Sequence, residues 1–402
     1  MHGSGHGSGS RGGDRPGPGD RAHDDAVPCT FAIEPDIRRA QTPPSALYHD
    51  ARWFEATVER VLWRSWHGIP RERVPAQASH VSPWTMLPGC VDEPLLMTRD
   101  EAGTLHLLSN VCTHRGNLLV DRACAAKQVR CGYHGRRFAL DGQMLAMPEF
   151  EGAIDFPGPG DHLPRVEHGS WHGLFWAAAA PQIALDDLLA PMQARLSFLP
   201  LDQMRFVPER SRDYHVAASW ALYCDNYLEG FHIPFVHPSL NRALDYGAYT
   251  TELLPHGVLQ IGIANADDDA FELPDDHPDH GRRIGGYYFF LFPTTMVNAY
   301  PWGLSVNVVQ PLGPSSCRVL FQTWVWDETK LDRGAGSGLD EVELEDEQVV
   351  ERVARGVRSR LYDRGRYSPT REQGTHHFHR LLAAMFAAPA SDQTFLRGRG
   401  RP

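Results

Sequence analysis

At 402 residues and 45.0 kDa the chain is longer than one core usually organises, so two domains are expected. A hydrophobic content of 42% with 22% charged residues describes a globular chain, and no apolar run approaches the roughly 20 residues of a membrane-spanning helix. Fifty acidic residues against 39 basic ones give a net charge of −11, which argues against a general nucleic-acid binder or a protein held on anionic lipid.

Residues 1–42 are expected to form a flexible tail. The first 25 or so are almost all Gly, Ser, Pro, His and charged residues, which bury too little apolar surface to offset ordering entropy. Over residues 43–66, Phe54, Val58, Val61, Leu62 and Trp66 recur at helical spacing and predict an amphipathic helix packed on the second domain. Residues 67–182 break into short β-like runs (PLLMTR, TLHLLSNV, QVRC, RRFAL, GLFWAA) punctuated by Gly, Asp and Pro. They predict a small antiparallel β domain. In 183–402, Trp220, Tyr223, Tyr227 and Phe231 predict a helix over Ser219–Phe231. Several strands follow in 284–326, after an acidic loop at 264–283, and Val342–Leu361 reads as a long helix. The class is α+β: a small β domain, then a curved antiparallel sheet with the long C-terminal helix laid across it.

The strongest chemical signal is Cys112-Thr-His114-Arg-Gly followed by Cys131-Gly-Tyr-His134-Gly, with sixteen residues between His114 and Cys131. A zinc finger of the two-Cys, two-His type orders its ligands as two Cys and then two His. Here each loop supplies one of each. That arrangement suits a two-iron cluster with both thiolates on one iron and both imidazoles on the other. Seven cysteines with no secretory leader fit a reducing cytoplasm better than a disulfide framework. Cys124, Cys29, Cys90, Cys224 and Cys317 read as ordinary small side chains.

A second constellation lies in Asn226-Tyr-Leu-Glu229-Gly-Phe-His232-Ile-Pro-Phe-Val-His237-Pro. Glu229 and His232, three apart, share a helix face. Pro234 and Pro238 are expected to end that helix, so that a turn swings His237 back towards His232. Two imidazoles and one carboxylate make a facial triad for Fe(II). The acidic run Asp340–Glu347 offers six candidates for the carboxylate, most of them ordinary solvated acids at a helix start. With Val350, Val353, Val357 and Leu361 as the buried stripe, Asp346 projects near its centre and Glu343 almost as near. Asp346 is preferred, with Glu343 as runner-up. His376, His377 and His379 read as packing residues rather than a third metal site.

The paired CTHRG and CGYHG loops resemble the Rieske [2Fe–2S] domain of Rieske-type non-haem iron oxygenases. Family members often carry Pro after the second Cys and Trp after His-Gly, where this sequence has Gly132 and Arg136. N-Y-x-E-x-x-H-x4-H and E-D-E-x-V-V-E-x-V resemble the catalytic half of the same alpha subunits, whose iron-binding carboxylate sits on the C-terminal helix. The resemblance spans nearly the whole chain after residue 43, and is greatest to the branch with choline monooxygenase and the carnitine and betaine oxygenases. It implies a helix-grip, START-like catalytic domain. It also implies a Rieske cluster on Cys112, His114, Cys131 and His134, and mononuclear Fe(II) on His232, His237 and Asp346. Glu229 becomes an acid bridging the two metals across subunits of a head-to-tail homotrimer, with Asn226 as an accessory residue. Electrons from NAD(P)H would arrive through a separate flavin- or ferredoxin-type reductase, since no dinucleotide fingerprint appears here, and O2 would be the co-substrate. Hydroxylation beside a quaternary nitrogen is then expected. Ring dioxygenation of an aromatic substrate, a Rieske electron carrier without oxygenase activity, and a zinc hydrolase are the rival readings. Tyr288, Phe290, Phe292, Tyr300 and Trp302 could face a trimethylammonium group, although sheet core is the commoner fate of such residues.

Overall fold

The computed structural model describes residues 29–388; most of the expected tail, with His2, His6 and His23, lies outside them. The rest of that stretch is packed. Phe31, Ile33 and Ala40 are buried, and the Phe31 ring lies 5.9 Å from Trp53 and 5.5 Å from Phe386. Helix α1 (Ala51–Arg60) begins where the Asp50 carboxylate accepts hydrogen bonds from the backbone of Arg52 and Trp53, and it is shorter than the pattern over 43–66 predicts.

Strand β1 (His67–Ile69) precedes β2 (His80–Met86), β3 (Glu93–Arg99), β4 (Leu105–Ser109) and β5 (Cys124–Ala125). The last four form an antiparallel sheet in the order β4-β3-β2-β5, and β6 (Val129–Arg130), β7 (Arg137–Phe138) and β8 (Met144–Ala146) form a second. Val81, Leu96, Leu108, Val129, Phe138 and Met144 make their common core, together with Cys112 and Cys131. This unit is narrower than the expected 67–182. Strands β9 (Glu167–Trp171) and β10 (Leu174–Ala178) pair with β1 in a separate sheet whose Trp171, Leu174 and Trp176 pack on the second domain.

The second domain begins with α2 (Leu185–Arg195), β11 (Arg205–Phe206) and β12 (Arg212–Val216). Three helices follow, α3 (Trp220–Tyr227), α4 (Ile233–Val236) and α5 (Pro238–Ala243), and then β13 (Thr250–Leu254), β14 (Gly257–Ile263), β15 (Ile284–Leu291), β16 (Thr295–Tyr300), β17 (Gly303–Gly313) and β18 (Ser316–Val325). These strands form an eight-stranded sheet, β11-β18-β17-β16-β15-β14-β13, with β12 also on β18; the pairings are antiparallel. Helices α6 (Leu339–Gly356) and α7 (Gln373–Ala387) complete the described chain.

Both faces of the sheet are covered, so its strands carry near-continuous apolar runs rather than simple alternation. Leu259, Ile261, Tyr287, Phe289, Leu291 and Val297 pack on α2 and the β1-β10-β9 sheet. Their neighbours Val258, Phe290 and Met296 point the other way, into a cluster with α3 and α7. On this second face two helices lie directly on the sheet, α3 against β17 and β18 and α7 against β13 and β14, while α6 packs on α3. The helix expected over Val342–Leu361 starts and stops earlier, and α7 adds a helix that the sequence pattern did not suggest. No helix among the described residues is long and apolar enough to cross a membrane.

Candidate metal centres and the adjoining cavity

The two Cys-His loops close by the same local device. Gly116 N–H donates to Cys112 C=O at 3.0 Å and Gly135 N–H to Cys131 C=O at 3.1 Å. Both glycines sit at positive φ, +72° and +76°, where a side chain would be strained. The loops bring the Cys112 and Cys131 thiols close enough to perturb one another's ionisation, at 2% and 3% exposure. Beside them, the His114 and His134 rings lie 4.8 Å apart. Both Nδ1 atoms are buried and find no hydrogen-bond partner among the described residues. Buried polar atoms are rarely left so. Two thiols and two unpartnered imidazole nitrogens are the donor set that a [2Fe–2S] cluster of mixed ligation needs. Backbone N–H of Tyr133 and the Asn117 amide both approach Cys131 Sγ, at 3.4 and 3.6 Å.

In the second domain the helix expected over 219–231 ends at Tyr227. The Glu229 carboxylate captures the backbone N–H groups of Phe231 and His232, so Glu229 and His232 share a turn, not a continuous helix. Pro234 and Pro238 do not end a helix as expected; they lie in the first turns of α4 and α5, where a missing N–H costs nothing. The two short helices carry His237 back beside His232, with ring centroids 5.0 Å apart. Asp346 Oδ1, from α6, lies 3.0 Å from His237 Nε2 and 3.5 Å from His232 Nε2. One ligand atom from each of the three residues falls within 4.8 Å of the others, the single such His/Cys/Asp/Glu group among the described residues.

The outer edges of both rings are held by carboxylates. Glu229 Oε1 is 2.7 Å from His232 Nδ1 and Glu345 Oε2 is 2.7 Å from His237 Nδ1. Such partners fix the tautomer that leaves Nε2 free for a metal. Burial pushes the His237 pKa down, but the Asp346 and Glu345 carboxylates outweigh it and the net shift is upward. Asn226 Nδ2 donates to Asp346 Oδ1 at 2.6 Å, so it orients that carboxylate rather than Glu229. Glu343, the runner-up, points elsewhere: it is 4% exposed and accepts from Tyr223 OH at 2.7 Å, and burial raises its pKa well above the usual carboxylate range. Val353 and Leu361, taken as part of the buried stripe, are exposed.

A cavity of about 110 Å³ opens beside His232, His237 and Asp346. Its floor is a row of side chains across four strands, Gln260, Tyr288, Asn298 and Ser305, each paired with the next in register. Tyr227, Tyr249, Tyr300 and Glu343 line the cavity together with the apolar Ile233, Leu240, Leu244, Leu339 and Val342, and no Lys or Arg does. Tyr288 OH, Gln260 Oε1 and Glu343 Oε1 are buried without a partner among the described residues. Of the five aromatic residues singled out in the sequence, Tyr288 and Tyr300 reach the cavity. Phe290 and Phe292 pack on Phe378, and Trp302 stacks behind Tyr300 at 5.3 Å. Glu345, Tyr227, Tyr249 and the polar row were not anticipated. Polar residues at alternate positions of buried strands (Asn298, Ser305, Asn307) were the available signal. A larger open cleft of about 870 Å³, lined by Trp84 and Phe321 among others, contains none of the metal donors. His376 and His377 bond the backbone carbonyls of Glu34 and Leu254, and His379 joins Tyr48 and Tyr367.

Residues 76–157 match the Rieske [2Fe-2S] domain, and residues 203–388 match the family described as ring hydroxylating alpha subunit (catalytic domain). The chain is 30% identical over 367 residues to choline monooxygenase, chloroplastic, of Arabidopsis thaliana, covering 86% of this chain and 83% of the relative. It belongs to the Rieske oxygenase alpha subunits. As a member of that family it is a Rieske non-haem iron oxygenase, an oxidoreductase. The carnitine monooxygenase oxygenase subunit of Escherichia coli (strain K12) is 26% identical over 384 residues, 90% of this chain and 98% of the relative. Among solved structures, a quaternary ammonium Rieske monooxygenase superimposes with a TM-score of 0.70 at 20% identity, over 89% of this chain and 100% of the other. Naphthalene 1,2-dioxygenase shares the fold of this Rieske oxygenase with a TM-score of 0.67 at 16% identity, over 89% and 95%.

Proposed function

We propose that the chain is the terminal oxygenase of a multicomponent system acting on a small quaternary amine. Cys112, His114, Cys131 and His134 would hold the Rieske cluster, and His232, His237 and Asp346 a mononuclear Fe(II). When bound, these groups supply one-electron delivery and O2 activation. In the overall reaction a substrate C–H bond, O2, two electrons and two protons yield the hydroxylated product and water. Hydroxylation of an N-methyl group leads on to N-demethylation. NAD(P)H is the ultimate donor, through a separate flavin- or ferredoxin-type reductase. The chain's residues do the rest: the Glu229 and Glu345 carboxylates hold the two imidazoles, Asn226 orients Asp346, and the sheet closes the cavity against water.

The observation that carries the reading is the convergence of His232, His237 and Asp346 on one side of a cavity walled by tyrosines and buried acids. Tyrosine faces attract a tetraalkylammonium cation. With no Lys or Arg in the lining, a substrate carboxylate would be desolvated without a cationic partner. A cation with a neutral polar tail therefore fits better than a betaine. Tyr288 OH and Gln260 Oε1 are free to pair with a hydroxyl. The polar floor suits a hydroxylated substrate, whereas an aromatic hydrocarbon would have only the apolar side of Leu240, Leu244, Leu339 and Val342 to pack on.

Glu229 retains the bridging role to a neighbouring subunit's cluster in a head-to-tail homotrimer. Phe231 and Phe235, paired at 6.2 Å beside His232, and Leu118 and Tyr133 on the cluster side are exposed apolar residues that such a contact would cover. Seven free cysteines suit a reducing compartment such as the cytoplasm. A helix-grip catalytic domain is the reading that α3 and α7 on one sheet face support.

The test is quantification of iron and sulfide, then substrate-dependent O2 uptake with a surrogate reductase. The panel should hold choline-like cations, betaines and aromatic acids. Three irons and two sulfides per chain with uptake driven by choline-like cations are expected. Two irons per chain would leave an electron carrier, and uptake driven only by aromatic acids would overturn the substrate class.

A further inference from the structure

Arg136 follows the His134-Gly135 pair, where family members often carry Trp, and its side chain is 2% exposed. Burying a guanidinium is costly unless its donors are paired, and its surroundings are built to hold it. Nη1 donates to Thr113 Oγ1 at 2.8 Å and Nη2 to Asp161 Oδ1 at 3.2 Å. The Phe150 and Phe156 rings lie 5.8 and 5.3 Å from the guanidinium carbon. Nε is buried with no partner among the described residues.

Each contact leads to the ligand loops. Thr113 stands between Cys112 and His114, and the Phe150 ring meets the His114 ring edge-on at 5.5 Å. Arg136 C=O accepts from Cys131 N–H at 2.8 Å. The cation is thus fastened to the first loop by its side chain and to the second by its backbone. Asp161, its counter-ion, is 24% exposed, so solvent screens the carboxylate more than the guanidinium. The residual field on the loops is positive.

We propose that Arg136 raises the reduction potential of the [2Fe–2S] cluster. The inference rests on the ligand assignment to Cys112, His114, Cys131 and His134. One-electron reduction adds a negative charge to the cluster, and a fixed buried cation stabilises the reduced form more than the oxidised one. Arg136 is a positioning and tuning residue: it touches no substrate and ligates no metal. Its burial also withdraws it from any docking surface for the reductase.

The test is a redox titration of the purified holoprotein, followed by the visible and electron paramagnetic resonance spectra of the cluster. Arg136→Gln should lower the midpoint so that the reduction equilibrium constant falls about tenfold, which is about 59 mV for one electron. Arg136→Lys should stay close to wild type, and Asp161→Asn should shift the midpoint upward. Opposite signs for Arg136→Gln and Asp161→Asn are the result that loss of packing alone would not produce. No shift in Arg136→Gln, or shifts of the same sign in both, overturns the proposal. If Arg136→Gln loses its cluster, the signs of Asp161→Asn and Arg136→Lys decide: an upward shift in the first with little change in the second supports it, and any other pattern overturns it. A wild-type protein without acid-labile sulfide would instead show that the ligand assignment has failed.

Discussion

Glu345 Oε2 sits 2.7 Å from His237 Nδ1, on the ring edge opposite the one that faces Asp346. Neighbours on one helix, Glu345 and Asp346 thus grip the two nitrogens of one imidazole. Removing the outer carboxylate frees the ring to rotate and lowers its basicity. Glu345→Ala should therefore weaken mononuclear metal binding by roughly 10- to 100-fold. Metal titration of the apo site should show the loss while sulfide content and the cluster spectrum stay unchanged.

Asp346 and Glu343 should separate cleanly. Asp346→Ala is expected to lose one iron of three and all turnover while keeping the cluster. Glu343→Gln should keep three irons and turnover, because burial already holds the carboxyl protonated and Gln replaces it with another neutral side chain. Iron analysis together with steady-state kinetics distinguishes the two, and the reverse pattern would move the ligand role to Glu343.

Glu229→Gln should leave both metal contents intact, because the amide oxygen can still accept from His232 Nδ1–H and hold the ring. Substrate-dependent reoxidation of the pre-reduced cluster should slow by at least roughly tenfold, about 1.4 kcal/mol in barrier height. Stopped-flow measurement of a single turnover reads this directly. A normal rate would contradict the bridging role.

His67 gives a pH dependence to stability. It is buried between Thr294 Oγ1 at 3.1 Å and Leu62 C=O at 2.6 Å, and burial lowers its pKa from 6.5 to about 4. Between those values the unfolded chain binds the extra proton, so stability falls as pH drops below 6.5. The full loss is about 3 kcal/mol, of which about 2 is gone at pH 5. Thermal unfolding at pH 7 and pH 5 should show a smaller difference in His67→Gln than in the wild type.

The cluster loops were legible because their signal is local: Cys and His two or three apart, closed by a glycine, need no knowledge of the rest of the fold. His232 and His237 were legible for the same reason. The helix break at Tyr227 was not, since it depends on Glu229 turning back onto the N–H groups of Phe231 and His232. Nor could Glu345 be read, because its partner lies 108 residues earlier in the chain and its helical phase suggests solvent. Phe31 and Ile33 belong to a short apolar stretch broken by Pro35, with no periodicity to predict an element. Only the Phe31 contacts with Trp53 of α1 and Phe386 of α7 reveal that order begins before residue 43.

Phe289 and Phe290 are adjacent in β15 yet belong to different clusters, one against α2 and the β1-β10-β9 sheet, the other against α3 and α7. The cavity floor shares the second face. Substitutions at alternate positions of these strands can thus remodel substrate selection without disturbing the packing behind the sheet. Insertions and deletions have no such freedom: a single added residue would exchange the two surfaces along the whole strand. Variation in substrate range within this architecture should therefore accumulate as point changes with period two, while strand lengths stay constant.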